Sequence, residues 1–178
     1  MRAAGAVLGV AHTGCMTGWM ARKAAGDELE ARVAGELAAR GWAVSCWGQG
    51  ALAAAVAASL RRTDSALRWA PDLLAAAGDL VVMIDCKASM TSSGTGRHAV
   101  ERAAVRAHLQ FAAIFDLPFY YVFDNLSVLT PMDVRAAGQA GPHSRVGSGA
   151  PYYLVSTALD RDFSDVFGPG PCKARGAA

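Results

Sequence analysis

Two apolar runs separated by a Gly-Asp dipeptide constrain the fold more than any other part of this chain. Strands are expected at residues 68–76 and 80–88, and Gly78-Asp79 suits a two-residue hairpin turn that begins with glycine. Residues 80–84 are continuously apolar, which is typical of a central strand covered on both faces. The sequence therefore predicts an antiparallel hairpin in the middle of a buried sheet.

The position of the turn determines which side chains of the hairpin share a face. Counting outward from residues 78–79 places Asp72 opposite Asp85, with their Cβ atoms about 5 Å apart. Lys87 points to the same face as Asp85, whereas Cys86 points away. Two facing carboxylates repel each other unless a cation lies between them, which favours a divalent metal site. The structural alternative is a weak surface salt bridge between Lys87 and one of the aspartates.

The segments around the hairpin predict one mixed α/β domain. A helix is expected to begin at Asp27, because Asp27 and Glu30 have capping-box spacing, and to end at Gly41. Further helices are expected at residues 51–60 and 97–116, and further strands at residues 42–47, 119–123, 127–129 and 151–155. The order helix, three strands, helix, strand is typical of an α/β sandwich.

Composition excludes several classes of protein. The 178 residues are 53% hydrophobic and 18% charged, which excludes general disorder, and no apolar run reaches the roughly 20 residues of a membrane helix. Four scattered cysteines indicate reduced thiols in the cytoplasm rather than a zinc site or a disulfide framework. We expect a flexible extension at residues 1–20, a domain at residues 21–167 and a flexible tail at residues 168–178. A short signal peptide is the alternative for the N-terminus.

The residues Pro71-Asp72, a gap of twelve residues and then Asp85-x-Lys87 resemble the motif of the PD-(D/E)xK nuclease superfamily. The resemblance covers about residues 27–123, and its layout is nearest to small nucleases similar to Holliday junction resolvases. It implies the restriction-endonuclease-like fold, a single-domain α/β/α sandwich with a central mixed sheet. Asp85 replaces the commoner Glu of the motif, which shortens the reach of this carboxylate by one methylene.

The resemblance implies metal-dependent hydrolysis of phosphodiester bonds in DNA, including branched DNA or the DNA of phages and mobile elements. The catalytic and metal-binding groups that it implies are Glu30, Asp72, Asp85, Lys87 and the backbone carbonyl of Cys86. The carboxylates would hold Mg²⁺ or Mn²⁺, and Lys87 would orient water or stabilise the transition state. Glu28 competes with Glu30 as the acid of the first helix.

Polar residues beyond the hairpin are candidates for contact with DNA. Helix starts and flexible loops suit phosphate contacts, and the candidate residues are Arg97, His98, Arg102, Arg106, Gln110 and Arg145. The alternative is that these side chains only form a solvated surface. A homodimer is expected because small nucleases of this fold commonly pair to cut two strands. The competing function is a catalytically silent fold that binds DNA or a partner protein.

Overall fold

Helices and strands alternate through the part of the chain that the computed structural model describes, which is residues 13–141 and 149–168. The α-helices there are α1 (Thr13–Ala38), α2 (Ala54–Leu60), α3 (Arg102–Phe115), α4 (Pro131–Ala137) and α5 (Phe163–Phe167). The strands are β1 (Ala43–Cys46), β2 (Leu73–Ala77), β3 (Leu80–Lys87), β4 (Thr91–Ser92), β5 (Arg97–Glu101), β6 (Phe119–Phe123), β7 (Ser127–Leu129), β8 (Gln139–Ala140), β9 (Tyr152–Ser156) and β10 (Arg161–Asp162). None of these helices is both long enough and apolar enough to span a membrane.

The main sheet is mixed, as the sequence predicts. Its strand order is β1-β2-β3-β6-β7-β10; β3 and β6 run parallel, and the other neighbours run antiparallel. A second, antiparallel sheet has the order β4-β5-β9-β8. Neither this second sheet nor helix α4 is predicted from the sequence.

The hairpin of β2 and β3 has the predicted register. Ala77 pairs with Leu80 next to the turn, and Leu73 pairs with Ile84 at the other end. Gly78 has a φ of 57°, a conformation that glycine adopts without steric cost. Side chains along β2 and β3 therefore alternate between the two faces of the sheet as the sequence predicts.

Apolar side chains cover the main sheet on both faces. One face packs against α1 and α5 and includes Leu29, Val33, Leu37, Val82, Ile84, Val122 and Phe167. The other face packs against α3 and the second sheet and includes Met83, Val105, Phe111, Tyr121, Phe123 and Tyr153. Because side chains alternate along a strand, neighbouring residues of β3 lie in different layers.

Helix α1 begins earlier than predicted. It starts at Thr13, so the predicted capping box is wrong: Asp27 and Glu30 lie inside the helix, and Asp27 accepts a 2.6 Å hydrogen bond from Lys23 one turn earlier. The predicted boundary at residue 20 falls within α1, and the division of the chain into extension, domain and tail stays a prediction.

The helix predicted at residues 97–116 is also wrong in its first five residues. Residues 97–101 form β5, in which buried His98 and Val100 alternate with partly exposed neighbours. This two-residue period is that of a strand, and helix α3 follows at Arg102. Similarly, residues 66–69 form a 3₁₀ turn, and the strand predicted from residue 68 begins only at Leu73.

Candidate functional site

The hairpin brings Asp72 and Asp85 together at its open end. Asp72 immediately precedes β2, and the pairing of Leu73 with Ile84 places it opposite Asp85. Asp72 Oδ2 accepts a 2.8 Å hydrogen bond from the backbone N–H of Cys86. Desolvation and the charge of Asp85 raise the pKa of Asp72 well above its usual range. Two carboxylates therefore share a partly buried pocket at the end of the sheet.

Lys87 forms an ion pair with Asp85 in this pocket. The two side chains are only 15% and 11% exposed, so the pair differs from the exposed salt bridge of the structural alternative. Lys87 Nζ also lies 5.3 Å from the centre of the Tyr121 ring. Desolvation disfavours the ammonium, but the charges of Asp85 and Asp72 outweigh it and raise the pKa of Lys87. The pocket therefore holds a protonated lysine.

His108 on α3 forms a wall of the site that the sequence analysis missed. Its Nε2–H donates a 2.8 Å hydrogen bond to the Trp69 carbonyl and lies 3.7 Å from Asp85 Oδ1. Its Nδ1 accepts a 2.9 Å hydrogen bond from the Tyr121 hydroxyl. Burial lowers the pKa of His108 to about 4, so the ring is neutral at pH 7. The only feature of the sequence that points to His108 is its helical spacing with the other buried residues of α3.

Glu30 lies near the pocket, and Glu28 does not share its environment. Glu30 is half-buried, whereas Glu28 is exposed, and burial followed by the charges of Asp27 and Asp85 raises the pKa of Glu30. Helix α1 packs on the sheet face opposite to that of Asp85. In agreement, no three acidic, histidine or cysteine side chains form a metal-binding group within residues 13–141 and 149–168. Glu30 is therefore a neighbour of the aspartate pair in this geometry.

The donor chemistry of the pocket suits a hard divalent cation. Mg²⁺ typically takes one or two carboxylates and keeps its other positions for water and phosphate. Asp72 and Asp85 supply two carboxylates, and the buried Asp85 Oδ2, which has no hydrogen bond of ordinary geometry, faces the Lys87 ammonium. The Cys86 side chain packs into the opposite layer, and burial raises its pKa, so its thiol is neutral. The Cys86 carbonyl stays a predicted ligand.

Three of the residues predicted to contact DNA lie on one face of α3. Arg102, Arg106 and Gln110 are exposed at intervals of four residues. They line a cavity of about 700 Å³ together with Arg135 of α4, a residue that the sequence analysis did not select. Arg102 also lies over the Tyr153 ring at 5.1 Å. The exposed face of α3 and Arg135 of α4 therefore form a cationic groove, and we use this name for Arg102, Arg106, Gln110 and Arg135.

The other predicted DNA contacts lie elsewhere. His98 is completely buried, with Nδ1 2.9 Å from Thr91 Oγ1 and Nε2 2.8 Å from Asp160 Oδ1. The predicted phosphate contact of His98 is wrong, because its ring offers no exposed atom. Arg97 lies on β5 and donates a 2.9 Å hydrogen bond to Gln139 Oε1. Arg145 lies outside the described residues.

Comparison with known proteins finds similarity in fold but not in sequence. No family model matches the sequence, and no curated protein matches it significantly. The structure of Hjc, a Holliday junction resolvase from Archaeoglobus fulgidus, superposes with a TM-score of 0.52 at 14% identity, over 80% of this chain and 95% of the resolvase. D212, a nuclease from a fusselovirus, gives a TM-score of 0.46 at 13% identity, over 89% of this chain and 92% of D212. The chain has the restriction-endonuclease-like fold that its sequence predicts.

Proposed function

We propose that this protein is a metal-dependent endonuclease that hydrolyses phosphodiester bonds in DNA. The observation that carries the proposal is the convergence of Asp72, Asp85 and Lys87 in one largely buried pocket at the end of β2 and β3. The fold that the chain shares with a Holliday junction resolvase supports branched DNA as the first substrate to examine.

The residues of the pocket divide into two roles. Asp72 and Asp85 would hold Mg²⁺ or Mn²⁺, with the Cys86 carbonyl as a further ligand and Glu30 as an outer acid. When bound, the cation would lower the pKa of a water molecule and offset charge on the phosphoryl group. Lys87 is protonated and has no lone pair for a metal. Its ammonium, held by Asp85, would stabilise the negative charge that develops during hydrolysis.

The cationic groove is the proposed path of the DNA backbone. Arg106 and Gln110 also line a cavity of about 540 Å³ whose wall includes Trp69. The carbonyl of the same Trp69 accepts the hydrogen bond from His108, which lies 3.7 Å from Asp85. Trp69 and His108 therefore lie between the groove and the aspartates. A DNA strand bound at Arg106 would pass this wall to reach the aspartates.

Replacing Arg106 with alanine should weaken DNA binding by about fivefold, because one charge-assisted phosphate contact is lost. The slope of log affinity against log salt concentration should fall in magnitude by about 1. Fluorescence anisotropy with labelled DNA in EDTA measures both quantities. Arg22→Ala is the matched control, since Arg22 is exposed on α1, which packs on the other face of the sheet. Equal losses in the two variants would remove the cationic groove from the DNA path.

A catalytically silent DNA-binding module is the second candidate function. Two observations favour it: the Lys87 ammonium pairs with the Asp85 carboxylate and offsets its charge, and the described residues contain no group of three metal-binding side chains. In this alternative the carboxylates serve structure, and the cationic groove alone carries the function.

A cleavage assay separates the two candidates. Linear, nicked, single-stranded and four-way-junction DNA are incubated with the wild-type protein and with Asp85→Asn, in Mg²⁺, Mn²⁺ or EDTA. We expect metal-dependent cleavage by the wild type alone, with none in EDTA. Binding without cleavage on every substrate would make the silent module the better account.

Two active sites would allow both strands of a junction to be cut in one binding event, so we propose a homodimer as the functional unit. Light scattering of the protein alone and of its junction complex measures the stoichiometry. Two protomers per junction are expected, and one protomer per junction would contradict the dimer.

A further inference from the structure

We propose that Gly48 is a positioning residue for Asp72: the absence of a side chain at residue 48 creates the space that the Asp72 carboxylate occupies. This role deepens the proposed function and rests on it. Gly48 follows β1 and is buried beside Asp72, outside the segment that carries the nuclease motif.

Glycine is required at residue 48 because there is no room for a Cβ atom. A Cβ atom built on Gly48 would lie 2.9 Å from Asp72 Cα and 2.9 Å from Asp72 Oδ1. Both distances are well below an ordinary van der Waals contact. Gly48 is not among the described glycines with positive φ, so its backbone conformation is one that other residues also adopt.

Hydrogen bonds prevent the two segments from moving apart freely. The backbone N–H groups of Trp47 and Gly48 both donate to the carbonyl of Asp72, at 2.8 and 3.1 Å. A side chain at residue 48 would push on Asp72 Cα, which is main chain rather than the tip of a flexible side chain. Relief of the clash would therefore displace Asp72 or break these two bonds.

The Asp72 carboxylate is consequently held by a hydrogen bond on one side and accommodated by the missing side chain of Gly48 on the other. Its Oδ2 accepts the hydrogen bond from Cys86, and its Oδ1 lies over the space left by Gly48. A working site tolerates displacements of only about 0.5 Å. Gly48 thus sets the orientation in which Asp72 faces Asp85, although it contacts neither substrate nor metal.

The test compares Gly48→Ala with Gly50→Ala. Gly50 lies in the same segment, but nothing lies within 4 Å of the position that a Cβ atom would take there. Calorimetric titration with Mn²⁺ should show about a tenfold loss of affinity in Gly48→Ala, as for other groups that orient a metal ligand. Gly50→Ala should stay within twofold of the wild type. Cleavage of the four-way junction should fall in Gly48→Ala even at saturating Mn²⁺, because Asp72 stays misaligned.

The outcomes separate this inference from the proposed function. Wild-type protein that binds no Mn²⁺ overturns both, whereas Mn²⁺ binding with equal affinities in the two glycine variants overturns only the role of Gly48. If Gly48→Ala does not fold, as judged by circular dichroism, the double variant Gly48→Ala/Asp72→Ala decides. Asp72→Ala removes the clash with Oδ1 but not the clash with Asp72 Cα. Partial recovery of folding therefore supports the role of Gly48 in making room for the carboxylate, and no recovery assigns the loss to the main-chain clash and overturns that role.

Discussion

Replacing Lys87 with alanine should reduce DNA cleavage by about 100-fold or more at saturating Mn²⁺, while Mn²⁺ and DNA affinities stay within a few fold. In the proposed mechanism, the Lys87 ammonium, which pairs with Asp85, would stabilise charge in the transition state and would not be a metal ligand. Single-turnover cleavage of a four-way junction measures the loss. Lys23→Ala is the control, because Lys23 is exposed and pairs with Asp27 on α1.

Lys87→Ala should also lower the stability of the folded protein, which loss of a purely catalytic group would not do. Without its partner, the Asp85 carboxylate is buried and unpaired, which typically destabilises a protein by about 3–5 kcal/mol. Mn²⁺ can supply the missing positive charge, so thermal stability lost in EDTA should be partly restored by metal. Undiminished cleavage by Lys87→Ala would remove Lys87 from the proposed mechanism.

Asp72→Asn should abolish cleavage and remove the rise in melting temperature that Mn²⁺ gives the wild type. A ligand at a hundredfold excess over its Kd stabilises a protein by about 2.7 kcal/mol, and the variant lacks one of the two carboxylates that would bind it. Scanning calorimetry with and without Mn²⁺ measures the difference. An unchanged Mn²⁺ effect in Asp72→Asn would contradict the assignment of Asp72 as a ligand.

The pH dependence of the metal-free protein provides a second readout for Asp72. Burial and the charge of Asp85 raise the pKa of Asp72 in the folded state, so the folded protein binds the proton more tightly than the unfolded chain does. The stability that Asp72 contributes is therefore fully present below its unfolded pKa of about 3.9 and is lost as pH rises through its raised folded pKa. Asp72→Asn should flatten this decline, which urea unfolding in EDTA at several pH values measures. An identical pH profile in both proteins would contradict the raised pKa.

The hairpin was predictable because its signals are local. A two-residue turn and a two-residue side-chain period together specify which residues of β2 and β3 face each other. The facing of Asp72 and Asp85 follows from Gly78-Asp79 alone, and the structure has the same register. The resemblance of this segment to a nuclease motif then predicted the fold.

Other features were not predictable because they depend on contacts between distant segments. Strand β5 pairs with β9, more than fifty residues later in the chain. The alternation of buried and exposed residues in β5 is short, and in the sequence it cannot be separated from the helical pattern of α3 that follows. His108 reaches Asp85 only because α3 packs across the sheet. Gly48 matters only because β1 lies beside β2. At residue 27, a local capping signal was overridden by a helix that begins at Thr13.

In the proposed mechanism, Asp72 and Asp85 together hold the divalent cation that hydrolysis requires. The most direct measurement is the crystal structure of the protein with Mn²⁺, with the metal located by its anomalous scattering. We expect one peak about 2.0–2.3 Å from a carboxylate oxygen of both Asp72 and Asp85, and we expect its loss in Asp72→Asn. A peak bound elsewhere, or no peak at a Mn²⁺ concentration that supports cleavage, would contradict it.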